Sequence, residues 1–149
     1  MVLLALMNAS EEKTRRYDLA YLNLAQRWAN LSHCVRKKVG AIIVKDKMII
    51  SDGYNGVPSG FPNACEDVNG ETFWYVLHAE ANAILKVAKS TNNMEGATLY
   101  LTHSPCKDCS KLILQSGIKR LVYIYEYKDQ SGLTFLAQAG IELIQYKEV

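Results

Sequence analysis

The chain has 149 residues, 49% apolar and 21% charged, with 17 Lys and Arg against 15 Asp and Glu. That length and balance describe one ordinary folded domain and exclude a disordered, collagenous or coiled-coil main state. A net charge of +2 offers no broad basic face for nucleic acid or an anionic membrane, and no apolar run approaches the ~18 residues of a membrane span.

Met1 to Met7 is apolar but lacks a basic start and runs on towards Glu11-Glu12, a poor signal peptide. The expectation is a cytoplasmic protein. In it Cys34, Cys65, Cys106 and Cys109 are thiols or metal ligands rather than a disulfide set. Residues 1–149 read as a single domain, with 1–13 a peripheral segment.

Over residues 14–31, Tyr17, Ala20, Tyr21, Leu24, Ala25 and Trp28 recur at helical spacing. Short β-rich runs at 39–44 and 48–51 flank the charged Lys45-Asp46-Lys47, which predicts a hairpin. The turn-rich stretch Gly53-Tyr-Asn-Gly-Val-Pro-Ser-Gly60 follows. Residues 55–74 show no period, and so long a loop in a compact domain is usually functional. A helix at 78–89, a strand at 97–102, a helix at 106–116 stopped by Gly117, a strand at 121–125, a helix at 133–139 stopped by Gly140 and a strand at 141–146 complete the order. Strands separated by helices predict an α/β fold with parallel neighbours, right-handed crossovers and helices on both faces.

Two short stretches carry chemistry: His78-Ala-Glu80 and Pro105-Cys106-Lys-Asp-Cys109. Each falls at a loop-to-helix junction. In a first helical turn, the dipole and free N–H groups favour thiolates, and the spacing of Cys106 and Cys109 puts both sulfurs on one side. His78 adds a third ligand. Three ligands leave one tetrahedral position open to water, the mark of a catalytic zinc. Glu80, two residues from His78, is placed to take a proton from that water. A redox Cys-x-x-Cys would leave His78 and Glu80 unused, and a structural zinc module would need a fourth ligand from His103 or Cys65. The H-x-E…P-C-x-x-C pattern is the signature of the zinc nucleobase deaminases.

On these residues the chain resembles the cytidine and deoxycytidylate (dCMP) deaminase superfamily, from about Ala25 to Tyr146. Four segments carry the likeness: Lys38-Val-Gly-Ala41, the Gly53–Gly60 stretch, His78-Ala-Glu-Ala-Asn-Ala-Ile84 and Ser104-Pro-Cys-Lys-Asp-Cys109. The second, with Asn82-Ala-Ile84, points to dCMP deaminases over tRNA adenosine deaminases; Leu112 to Lys119 points the same way.

The resemblance implies a three-layer α/β/α sandwich around a five-stranded mixed sheet. It implies Zn2+ held by His78, Cys106 and Cys109, Glu80 as proton shuttle, and hydrolysis of dCMP to dUMP and ammonia for thymidylate synthesis. Asn55 matches a nucleotide-binding position, although Asn55-Gly56 alone also reads as a type I′ turn. Ala79, Ser104, Tyr127, Arg36 and Lys38 complete the expected substrate-binding set. Arg36-Lys37-Lys38 reads equally as phosphate donors or as a solvated turn. Tyr125 reads as a core or gating residue, whereas Tyr127 lies beyond the strand end, where open α/β sheets bind ligands.

The resemblance also implies a homo-oligomer, a hexamer in many relatives, activated by dCTP with Mg2+ and inhibited by dTTP. The loop with Gly53, Tyr54, Gly56, Pro58 and Gly60 is then an effector loop. Cys34 and Cys65 match the cysteine positions of a second, structural zinc in some relatives. Residues 66–77 contain no histidine, so buried thiols are the preferred expectation, even with His33 beside Cys34. The rival functions are a tRNA adenosine or free cytidine deaminase and a non-catalytic zinc-binding module. No membrane or nucleic-acid partner is expected.

Overall fold

Asn8 opens the first helix in the computed structural model, which describes residues 8–149. The Met1–Met7 stretch therefore lies outside the described residues. Helix α1 spans Ala9–Ala29 and starts five residues before the expected residue 14. The reason is an N-cap: the Asn8 side-chain oxygen accepts the Glu11 N–H at 2.8 Å, and the Asn8 side-chain amide donates to the Glu11 carboxylate at 3.0 Å. Residues 9–13 are helical yet exposed, so that part of the expected peripheral segment is an overhanging turn.

The other elements follow in the expected order: β1 (Gly40–Lys45), β2 (Met48–Tyr54), α2 (Ala79–Ala88), β3 (Thr98–His103), α3 (Lys107–Gln115), β4 (Arg120–Tyr125), α4 (Ser131–Gln138) and β5 (Glu142–Gln145). The strands form one five-stranded sheet in the order β2-β1-β3-β4-β5. β1 pairs antiparallel with both β2 and β3, while β3, β4 and β5 are parallel. One expectation is corrected here. The helix between β2 and β3 does join parallel strands, but they are not neighbours, because β1 lies between them. The hairpin partner of β2 already occupies its inner edge, so the crossover must pass over it.

The sheet is buried on both faces, as the alternation of side chains shows. Ala41, Ile43, Leu99, Leu101, Leu121 and Tyr123 face a core made with α2, α3 and α4. Ile42, Val44, Tyr100, Val122 and Ile124 face α1 through Leu22 and Ala25. The result is the three-layer α/β/α sandwich.

Close packing across these layers depends on two glycines. A Cβ at Gly40 would stand 1.9 Å from the Ala25 carbonyl oxygen of α1, and one at Gly53 would stand 2.5 Å from the Ala79 oxygen of α2. On the α1 face, Asp18 is buried and receives a bidentate Arg120 guanidinium (2.6 and 2.8 Å) and the hydroxyls of Tyr100 (2.7 Å) and Tyr146 (2.9 Å).

Candidate active site

β2 and β3 end at the same edge of the sheet, and β1 begins there, so the turns after β2 and β3 launch α2 and α3 side by side. His78 is the N-cap of α2 and Cys106 the N-cap of α3, both in extended backbone. His78 Nδ1 lies 3.6 Å from Cys106 Sγ and 3.3 Å from Cys109 Sγ, and the three ligand atoms lie within 4.8 Å of one another. Ligands at zinc–nitrogen and zinc–sulfur distances around a tetrahedral ion stand about 3.6 Å apart. The donor set and its spacing therefore fit zinc. Among the described residues, no other group of three His, Cys, Asp or Glu side chains is gathered closely enough to share an ion.

The two thiols share their protons unequally. A hydrogen bond from Cys109 and another from His78 pull the Cys106 thiol down to about 4, and the Cys109 N–H also points at its sulfur, at 3.4 Å. Cys109 is the partner that keeps the proton, and its thiol is pushed up. His78 is raised by its hydrogen bond to Cys106.

Glu80 sits in the first turn of α2, 4% exposed. Burial pushes its carboxyl up to about 7. A carboxyl poised near neutrality can both accept and return a proton. Ala79, also in the first turn of α2, has a backbone N–H with no partner within the helix.

His78, Ala79, Glu80 and Cys106 line a cavity of about 300 Å³ together with Arg36, Lys37, Asn55, His103, Ser104 and Tyr127. The Asn55 amide accepts the Val39 N–H and donates to the Lys37 carbonyl, each at 2.8 Å. It thus holds the entry to β1 and still has one N–H and one lone pair free for a ligand. Ser104 Oγ accepts the Tyr127 N–H at 2.6 Å, and Lys37 Nζ stands 4.8 Å from the Tyr127 ring centre. Tyr125 is exposed and packs on His103 outside the cavity.

Several expected site residues lie elsewhere. Lys38 does not line the cavity; its ammonium donates to the Ser32 carbonyl at 2.8 Å, and Lys37 takes the inward position. Gly53 packs under α2 and does not line the second cavity with the rest of its loop. Tyr54, Gly56, Pro58 and Gly60 line a separate cavity of about 190 Å³ with His33 and Asn63. Cys34 and Cys65 are joined in a disulfide. That corrects the expectation of free thiols and of a second zinc, since each sulfur is bonded to the other. The pairing was hidden by a separation of 31 residues and by the composition argument against disulfides.

Sequence reasoning missed Glu66, Thr72 and Val76 and gave His103 no part in binding a ligand. Glu66 accepts N–H groups from Val35 and Arg36 at 3.1–3.2 Å, fastening the long loop to the basic turn. Thr72 receives Arg36 Nη1 at 3.5 Å. His103 ends β3, and by sequence it reads only as a candidate zinc ligand. Its place directly before Ser104-Pro105-Cys106 was the available signal.

A mixed sheet that presents one imidazole, two thiols and a buried carboxyl at two helix starts defines a metal-dependent hydrolytic site. The family model of the cytidine and deoxycytidylate deaminase zinc-binding region matches residues 15–125. The chain is 37% identical to the deoxycytidylate deaminase of Enterobacteria phage T4, covering 82% of this chain and 86% of that one. It is 40% identical to the deoxycytidylate deaminase of Mycobacterium phage D29, covering 72% and 93%. The crystal structure of dCMP deaminase from cyanophage S-TIM5 in complex with dCMP and dUMP superposes with a TM-score of 0.84 at 43% identity, covering 94% of this chain and 99% of that one. The chain belongs to the cytidine and deoxycytidylate deaminase family, and its metal is zinc.

Proposed function

We propose that this chain hydrolyses dCMP to dUMP and ammonia and supplies dUMP for thymidylate synthesis. The observation that carries the reading is the buried Glu80 carboxyl beside the His78–Cys106–Cys109 cluster, in a cavity whose wall holds Arg36 and Lys37. The dCMP deaminase relatives and the dCMP- and dUMP-bound neighbour support the substrate.

A bound zinc ion supplies a polarised water at neutral pH. The rest is the work of the chain. Glu80 takes a proton from the attacking water and delivers protons to N3 of cytosine and to the departing amine. Asn55 and the Ala79 N–H orient the nucleotide. Ser104 holds Tyr127 at the cavity wall, where its ring covers the nucleotide and Lys37 stays close. Arg36 and Lys37 offset the phosphate charge.

Ultraviolet-monitored turnover of dCMP, beside CMP, deoxycytidine and dCTP, tests the reading. The expected result is loss of dCMP absorbance with a product that co-elutes with dUMP. Absence of turnover by zinc-replete protein overturns it.

Regulation belongs to the same proposal. The second cavity, lined by Tyr54, Gly56, Pro58 and Gly60, supports an effector site for dCTP with Mg2+ or for dTTP in a hexamer. Sigmoidal dCMP kinetics that become hyperbolic with dCTP are expected; kinetics indifferent to both nucleotides refute it. No helix among the described residues is long and apolar enough to cross a membrane. A cytoplasmic location remains part of this reading, and the Cys34–Cys65 disulfide is the feature that runs against it.

A further inference from the structure

His103 lines the cavity but is not part of the metal cluster. Its Nδ1 lies 2.9 Å from Thr102 Oγ1. Thr102 is 2% exposed, and its hydroxyl oxygen accepts the Gly40 N–H at 3.1 Å. The buried O–H must donate somewhere, and among the described residues the only acceptor it meets is His103 Nδ1. The imidazole is therefore neutral, with Nδ1 bare and the proton on Nε2. An imidazolium would aim a second N–H at Thr102 and leave its hydroxyl hydrogen buried without a partner, which is costly.

Nε2 has no protein partner among the described residues, while every buried side-chain nitrogen and oxygen there has one. Nε2 is therefore solvent-accessible, on a residue that lines the cavity. Tyr125 packs on the ring at 5.1 Å between centroids and limits its swing. Burial and the nearby Lys37 charge also hold the imidazole down, to about 4.

The polar groups on the same wall narrow the choice of ligand. Arg36 and Lys37 offer donors only, Asn55 is already tied to the backbone at two points, and the Glu66 carboxylate is engaged by the Val35 and Arg36 N–H groups. A third donor here suits a group with several acceptor oxygens and negative charge. We propose that His103 donates its Nε2–H to a phosphate oxygen of the nucleotide, and that Thr102 is the positioning residue that fixes this tautomer. The inference rests on the dCMP reading above.

The tautomer is read from long-range 1H–15N spectra of the zinc-loaded protein, whatever the substrate. A bare Nδ1 and protonated Nε2 at His103 are expected; the opposite tautomer or an imidazolium overturns the proposal. Titration with dUMP should shift the Nε2 resonance, and titration with deoxyuridine should not. A shift with both, or with neither, overturns the phosphate assignment.

In kinetics, T102V should raise KM for dCMP about tenfold with kcat within twofold, the loss of one hydrogen bond to a charged group. T102S keeps the hydroxyl and should restore KM. H103A, at a half-buried site, tests the contact directly should T102V fail to fold, and should also raise KM. An unchanged KM in H103A, or a fall in kcat alone, overturns it. If wild-type protein does not turn over dCMP, the substrate reading fails, and the spectra still decide the tautomer.

Discussion

His78 and Cys106 occupy the same position on different helices: each is the N-cap, the last extended residue before the chain turns helical. A cap side chain projects back over its helix start, so two adjacent helix starts bring imidazole and thiol to 3.6 Å. Cys109 enters from the first turn of α3 and Glu80 from that of α2. Four functional side chains thus depend on two helix starts, and those depend on the packing of α2 and α3 against the sheet.

In the proposed mechanism Glu80 carries the proton and stands outside the His78–Cys106–Cys109 cluster. Glu80→Gln should keep stoichiometric zinc by metal analysis and lose turnover by ~10²–10⁴-fold, the usual worth of a positioned acid–base group. A zinc-replete, fully active variant would remove Glu80 from the mechanism.

Zinc removal should abolish activity and leave the fold in place, because the core is built by the sheet and helices rather than by the site. Chelation should cancel turnover with little change in far-ultraviolet circular dichroism, and added zinc should restore it. Metal analysis should find a single zinc ion per chain, lost in Cys109→Ser. A second bound zinc would show that Cys34 and Cys65 act as ligands instead of bonding to each other.

Gly53 sets how closely α2 approaches β2. In Gly53→Ala the new methyl meets the Ala79 oxygen at 2.5 Å and the Ala83 nitrogen at 2.8 Å. Both are backbone atoms of the helix that carries His78 and Glu80. Overpacking of this kind costs ~1–3 kcal/mol. Denaturant unfolding should register that loss, and kcat should fall with it because the helix start is displaced. A variant of unchanged stability and kcat would contradict the packing role.

Asp18 ties α1 to the sheet. Burial alone would raise its carboxyl, but the hydrogen bonds from Arg120, Tyr100 and Tyr146 and the charge of Arg120 outweigh it, so its pKa lies below the ordinary value. A lowered folded-state pKa stabilises the fold above the unfolded pKa of ~4, and that contribution is lost as pH falls through the folded value. Asp18→Asn leaves the Arg120 guanidinium only the exposed Glu142 carboxylate, 3.6 Å from its Nε, and breaking a buried pair costs ~3–5 kcal/mol. Unfolding curves at several pH values should show the full gap between wild type and variant near neutrality, closing in acid. A gap that is constant with pH would exclude the ionised carboxylate as its source.

By itself the sequence determined the order of elements, the family, and the four residues of the chemical centre. These are local matters: apolar period, turn residues and the spacing of His, Glu and Cys are written within short windows. It missed the start of α1, where the Asn8 N-cap begins the helix ahead of the apolar stripe. Tertiary structure decided the rest. It set β1 between β2 and β3, turned Lys37 rather than Lys38 into the cavity, joined Cys34 to Cys65 across two loops, and left Gly53 as a spacer. It also made His103 a neutral donor through Thr102 and the Gly40 N–H. Each of these depends on which distant backbone groups meet, and on which buried polar atoms must find a partner there; such demands arise only when separate segments are brought into contact.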